Sequence, residues 1–88
     1  MKVFISYGAA GDQVTALRLQ ALAVVNGLTV YVPPAYTRQG PATLLDSEAS
    51  RKLNDSDVVL GVIKDGLTDA CRQELNASLA LGKSMVVM

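Results

Sequence analysis

Short β-branched apolar runs alternate along the chain with longer segments whose apolar residues recur every three or four positions. That alternation predicts the order β-α-β-α-β-α-β. The first run, KVFISY (2–7), ends in a glycine-bounded turn, GAAG (8–11), and Asp12 then stands where a side chain can accept from the first free amides of a helix. That helix is expected to run to about Asn26 and stop at Gly27, a residue suited to a left-handed C-cap. Within it Val14, Leu17, Ala21, Val24 and Val25 keep the spacing of one stripe, expected to face the core. LTVYVPP (28–34) reads as a strand closed by two prolines, which cannot donate to a sheet ladder. The following AYTRQGPATL (35–44) has no period and reads as an exposed loop. A more polar helix is expected over about 44–55, with Leu45, Ala49 and Leu53 turned inward. VVLGVI (58–63) is the most continuously apolar run and reads as a central strand buried on both faces.

The last helix is predicted to begin near Thr68 as its N-cap and to end at Gly82, before the terminal strand SMVVM (84–88). At about 100° per residue, Cys71, Leu75, Ser78, Leu79 and Gly82 gather on one side, and Asp69, Arg72, Gln73 and Asn76 on the other. Glu74 belongs to neither set and falls on a flank shared with Ala70, Ala77 and Leu81.

Strands and helices of these lengths imply right-handed crossovers and a short parallel sheet, of order 2-1-3-4, with helices on both faces. Such a sheet opens a crevice at the carboxyl ends of strands one and three. The loops at 8–12, 33–43 and 64–68 fall on its rim, and Glu74 is expected to look into it.

Composition narrows the chemistry. The 88 residues, half of them hydrophobic, suffice for one domain with a single core. Eight basic and eight acidic side chains cancel, so neither nucleic acid nor an anionic membrane is an expected partner. The start, MKVFISYGAAGDQ, lacks the apolar region of a secretory signal, and no apolar run reaches the roughly 20 residues that span a bilayer, so a cytoplasmic protein is expected. One cysteine, Cys71, cannot form an internal disulfide, and it reads as a small core residue. The lack of histidine removes the usual zinc and histidine-dependent arrangements, and no metal is expected. Carboxylates, hydroxyls, Lys, Arg and backbone amides remain.

KVFISY with Asp12, then Gly27 and a strand, a loop with Gly40, DSDVVLGVI, and finally CRQEL with LGKSMVV together resemble a TIR (Toll/interleukin-1 receptor) domain over nearly the whole chain. The resemblance implies an α/β, flavodoxin-like three-layer fold, read here as a reduced or truncated member. It also implies a signalling and self-association role through the loop after the second strand, here 33–43 with Arg38 and Gly40. Some members hydrolyse NAD+ at the nicotinamide–ribose bond with a glutamate that maps to Glu74; NAD+ would then be a substrate and no cofactor is implied. Where that family often has a tryptophan four residues before the glutamate, this chain has Ala70. The apolar terminal strand MVVM would leave a sheet edge open to another chain, and a homo-oligomer is expected.

VYVPP, Asp57 and Glu74 with SLALGK are also similar to nucleoside 2-deoxyribosyltransferases, in which Glu74 would be the nucleophile on the sugar and a nucleoside the ligand. A catalytically silent interaction fragment is the third reading. The candidate catalytic residue is Glu74, with Ser6, Tyr7, Gly8, Asp12 and Arg38 as candidate ligand contacts. Each has a plain alternative: Glu74 satisfied at a helix boundary by Ser78, a loop amide or a lysine; Ser6 and Tyr7 closing the crevice; GAAG as a tight turn; Arg38 as a solvated charge.

Overall fold

The computed structural model describes residues 1–38 and 47–88, so the expected inward Leu45 and the loop glycine Gly40 lie outside the described residues. Strand β1 (Lys2–Tyr7) leads to helix α1 (Ala10–Val25), β2 (Thr29–Tyr31) and a 3-10 turn (Ala35–Arg38). Helix α2 (Ser47–Asp55), β3 (Val58–Val62), α3 (Asp69–Ala80) and β4 (Ser84–Val87) follow. The four strands form one parallel sheet in the order β2-β1-β3-β4, the flavodoxin-like α/β arrangement expected from the pattern. β2 is shorter than its apolar run because Pro33 and Pro34 close it.

Alternation along each strand sorts the core into two layers. On one face Phe4 and Val59 pack against Ala49 and Leu53 of α2, with Leu75 and Ala77 of α3 closing over them. On the other, Ile5, Tyr7 and Val62 pack against Ala16 of α1. Within β3, Val59, Gly61 and Val62 are buried, whereas Val58 and Leu60 are only half-buried. An apolar groove of about 320 Å³ between α1 and the sheet, with Leu60 in its wall, accounts for the latter.

Helix α1 reverses the expected orientation. Val14, Leu17, Ala21, Val24 and Val25 do form a stripe, but it faces solvent, while Asp12 and Ala16 are buried. Ala16 packs on the sheet beside Ile5, Tyr7 and Val62; periodicity fixes a stripe but not its direction. Asp12 does not cap the helix either: Ala9 is the N-cap residue, without a side-chain bond, and the Asp12 carboxylate is engaged elsewhere. The C-terminal expectations agree with the structure. Gly27 (φ 81°) and Gly82 (φ 68°) are left-handed, and Leu28 N–H to Ala23 O and Lys83 N–H to Ser78 O close both helices. Thr68 caps α3, its hydroxyl accepting from Cys71 N–H at 3.4 Å.

The buried face of α3 is rotated from the expected one. Ala70, Cys71, Glu74 and Ser78 are buried, Leu75 is half-buried, and Leu79 and Gly82 are exposed. Glu74 therefore sits within the buried face, not on a flank. Among the described residues no helix is long and apolar enough to cross a membrane.

Candidate functional site

β1 delivers Ser6 and Tyr7 to the carboxyl end of the sheet, beside the end of β3, where the strand order reverses. Successive strand residues face opposite sides, so Ser6 meets α3 and Tyr7 meets the α1 side. Glu74, in the second turn of α3, points straight at Ser6: the hydroxyl donates to Glu74 Oε1 at 2.7 Å and also lies 3.1 Å from Cys71 Sγ. The glutamate is only 2% exposed.

Its counter-charge is Arg38, which is 8% exposed and not a solvated charge as expected. Arg38 Nη1 donates to Oε2 at 3.0 Å and Nη2 to Oε1 at 2.5 Å, a two-point fork matched to the carboxylate plane. The guanidinium also stacks over the Tyr7 ring, 4.6 Å from its centroid, and the Tyr7 hydroxyl donates to Pro33 O at 2.9 Å. The turn after β2 is thus fastened twice to the sheet tip, through Arg38 and through Pro33. Of the plain alternatives for Glu74, Ser78 takes a different part, its hydroxyl donating to the Glu74 backbone carbonyl at 2.8 Å.

Burial pushes the Tyr7 phenol above its usual value, against the opposing pull of Arg38. Burial likewise raises the Cys71 thiol, with the Ser6 hydrogen bond acting the other way and Glu74 adding to the rise. A protonated, enclosed thiol is a packing group and not a nucleophile.

Gly8 and Asp12 lie on the neighbouring rim. Gly8 N–H donates to Val62 O at 2.9 Å, its carbonyl accepts from Thr68 Oγ1 at 3.4 Å, and a Cβ there would stand 1.8 Å from Gly66 O. Asp12, 1% exposed, accepts the Asp65 amide through both carboxylate oxygens at 2.9 and 3.2 Å. These two residues tie the loop after β1 and the first turn of α1 to the loop after β3. Asp57 lies at the other end of the sheet from Glu74, where it accepts from Lys2 N–H at 2.9 Å. Among the described residues no cluster of His, Cys, Asp or Glu is arranged to hold a metal ion.

The structure therefore brings Glu74, Ser6, Tyr7 and Arg38 into one constellation and places Gly8 and Asp12 beside it. What the sequence reading missed was the pairing of Arg38 with Glu74. The sequence holds only a partial signal: Arg38 lies in a loop on the same rim, but so does the cation Lys64, and the pairing spans 36 positions.

Chemically, the arrangement is a desolvated carboxylate at the carboxyl end of a parallel sheet, held by a hydroxyl and closed by a guanidinium. Compared with models of known protein families, with curated proteins and with solved structures, the chain has no significant match.

Proposed function

We propose that this chain is a TIR-like association and signalling domain, in which the Arg38–Glu74 pair holds the start of the loop after β2 against α3. The supporting observation is the buried two-point ion pair that fastens the start of that loop to α3. A buried pair is a poor route to stability, since similarly sized apolar residues often serve as well or better. A directional, charge-matched pair can instead specify where the start of the loop is held. The test is sedimentation over a concentration series, comparing wild type with the double variant Arg38→Met/Glu74→Leu. The double variant is expected to fold and to lose loop-dependent association. Unchanged association in a folded double variant would overturn the reading.

A second reading is favoured by the position of Glu74 beside Ser6 at the switch point of the sheet. With Arg38 displaced, the carboxylate would face a ribose whose C1′–N bond to nicotinamide breaks. The bond pair would leave with the nitrogen, and Glu74 would stabilise the positive charge on the sugar until water adds and gives up its proton. In this reading the guanidinium, 3.0 and 2.5 Å from the carboxylate oxygens, would have to leave before a cationic sugar could approach them. Wild type, Arg38→Ala and Glu74→Gln, incubated with NAD+ and separately with a deoxynucleoside, distinguish the options by the base released. Nicotinamide release that, per folded molecule by circular dichroism, rises in Arg38→Ala and vanishes in Glu74→Gln supports glycohydrolysis. Base release from the deoxynucleoside instead supports the transferase-like alternative, and release from neither leaves association as the function.

A further inference from the structure

On the glycohydrolase reading of Glu74, on which the proposal below rests, the carboxylate acts only after Arg38 has let go of it. Both groups are buried, and a carboxylate stripped of its cation at such a site is strongly disfavoured. A guanidinium that simply turned out to water would leave Glu74 bare, and a ligand cation arriving alone would meet a site already occupied by one. The opening that leaves neither charge without a partner is an exchange, in which Arg38 and Glu74 each trade the other for a ligand group of the same charge.

The site is built for that exchange. The fork of Nη1 and Nη2, 3.0 and 2.5 Å from the carboxylate oxygens, is the geometry with which arginine also grips a phosphate. Tyr7 holds the guanidinium by its flat face, 4.6 Å from the ring centroid, so the in-plane N–H groups can change acceptor without losing the ring. Arg38 closes a turn whose preceding Pro34 and Ala35 face solvent, the side from which a new acceptor arrives. Ser6 stays in place: its hydroxyl donates to Glu74 Oε1 at 2.7 Å and keeps the carboxylate oriented while Arg38 changes partner.

We propose that Arg38 is a ligand-operated latch: it leaves Glu74 for the diphosphate of a nucleotide, and the cationic base–sugar end of the same molecule takes its place beside the carboxylate. The ligand class is zwitterionic, a phosphate-bearing nucleotide with positive charge at its glycosidic bond. NAD+ has both parts, whereas nicotinamide riboside has the cation without the anion. A ligand shifts a two-position group only by binding one position better, so the anion and Glu74 compete for Arg38.

That competition is measurable without turnover. Inorganic pyrophosphate, titrated by calorimetry, is expected to bind Glu74→Gln about 10-fold or more tightly than it binds wild type, because no carboxylate then holds the guanidinium back. In Arg38→Met/Glu74→Leu, which lacks the guanidinium, binding is expected to be lost. No binding to Glu74→Gln, equal affinity for Glu74→Gln and wild type, or binding that survives in the double variant would each overturn the proposal. Turnover then separates the latch from the reading beneath it. Per folded molecule, wild type is expected to release nicotinamide about 10-fold or more slowly from nicotinamide riboside than from NAD+, and the two rates are expected to converge in Arg38→Ala, chiefly by a rise with the riboside. Equal rates in wild type, or a preference that persists in Arg38→Ala, would sink the latch and leave Glu74 its role. Release from neither substrate by wild type or Arg38→Ala would end the glycohydrolase reading itself and take the latch with it.

Discussion

Removing either member of the Arg38–Glu74 pair should destabilise the fold, but unequally. Arg38 lies on a 3-10 turn in an irregular connection, from which a long side chain can swing into water; Glu74 lies in the second turn of α3 on its buried face and cannot. In Arg38→Ala the carboxylate keeps the Ser6 hydroxyl at 2.7 Å and loses the guanidinium fork at 2.5 and 3.0 Å. Breaking a buried pair from one side in this way costs about 3–5 kcal/mol. In Glu74→Gln an acceptor oxygen remains for Ser6 and Arg38 can turn outward, so the loss is about 1–2 kcal/mol. Against a total of about 4–13 kcal/mol for an 88-residue domain, the first variant approaches the limit of folding and the second does not. Urea titration followed by circular dichroism reads the difference. At roughly 1–3 kcal/mol per molar urea, Arg38→Ala should lower the midpoint by at least 1 M, with Glu74→Gln falling between it and wild type. The double variant Arg38→Met/Glu74→Leu should recover most of the loss, because the two changes share one interaction. Shifts for both single variants under about 0.5 kcal/mol would refute the reasoning, since they would mean that the pair is solvated.

Three further outcomes follow from the packing. Leu53→Ala empties a fully buried site between α2 and the sheet and should cost about 2–5 kcal/mol, a drop in Tm of well over 8 °C for a domain of this size. Gly8→Ala forces a Cβ to 1.8 Å from the Gly66 carbonyl oxygen, so the two loops must part; a loss of about 1–3 kcal/mol by thermal melting is expected, and an unchanged melt would show that the loops do not meet. Burial pushes both the Cys71 thiol and the Tyr7 phenol up, so the folded chain holds these protons to higher pH than the unfolded chain. The stability they contribute is fully present below the unfolded thiol value of about 8.5 and is lost as pH rises through the raised folded values. The urea midpoint should therefore fall between pH 8 and pH 11, and a rising midpoint would contradict the burial of both groups.

Much of the fold was legible because strand and helix periods differ. The runs KVFISY, LTVYVPP, VVLGVI and SMVVM became β1 to β4, and the strand order 2-1-3-4 expected for helices on both faces is the one observed. Gly27, Gly82 and Thr68 act at the helix ends where their chemistry placed them. Two orientations were not legible. A 3.6-residue period locates an apolar stripe on a helix without stating whether sheet or solvent faces it, and in α1 Ala16 proved the better fit to the sheet. The same limit rotated the face assigned to α3, where Ala70 and Glu74 are covered and Leu79 is not. Arg38 was misread for a different reason: its burial depends on a partner 36 positions away, and no local pattern carries that.

Both departures put a side chain where solvation alone would not leave it, a charge pair inside and a leucine–valine ridge outside. A carboxylate buried with its cation adds little net stability, and an apolar ridge in water adds none. Neither arrangement adds to the apolar core that Phe4, Leu53, Val59, Ile5 and Val62 form. Where local preference and observed placement disagree, a requirement from outside the fold is the explanation to test first. The two sites also lie on opposite sides of the sheet, with Glu74 on the α3 side and the stripe on the solvent face of α1. A change on the exposed face of α1 is therefore expected to leave the Arg38–Glu74 crevice intact, so that crevice chemistry is measurable without disturbing that helix.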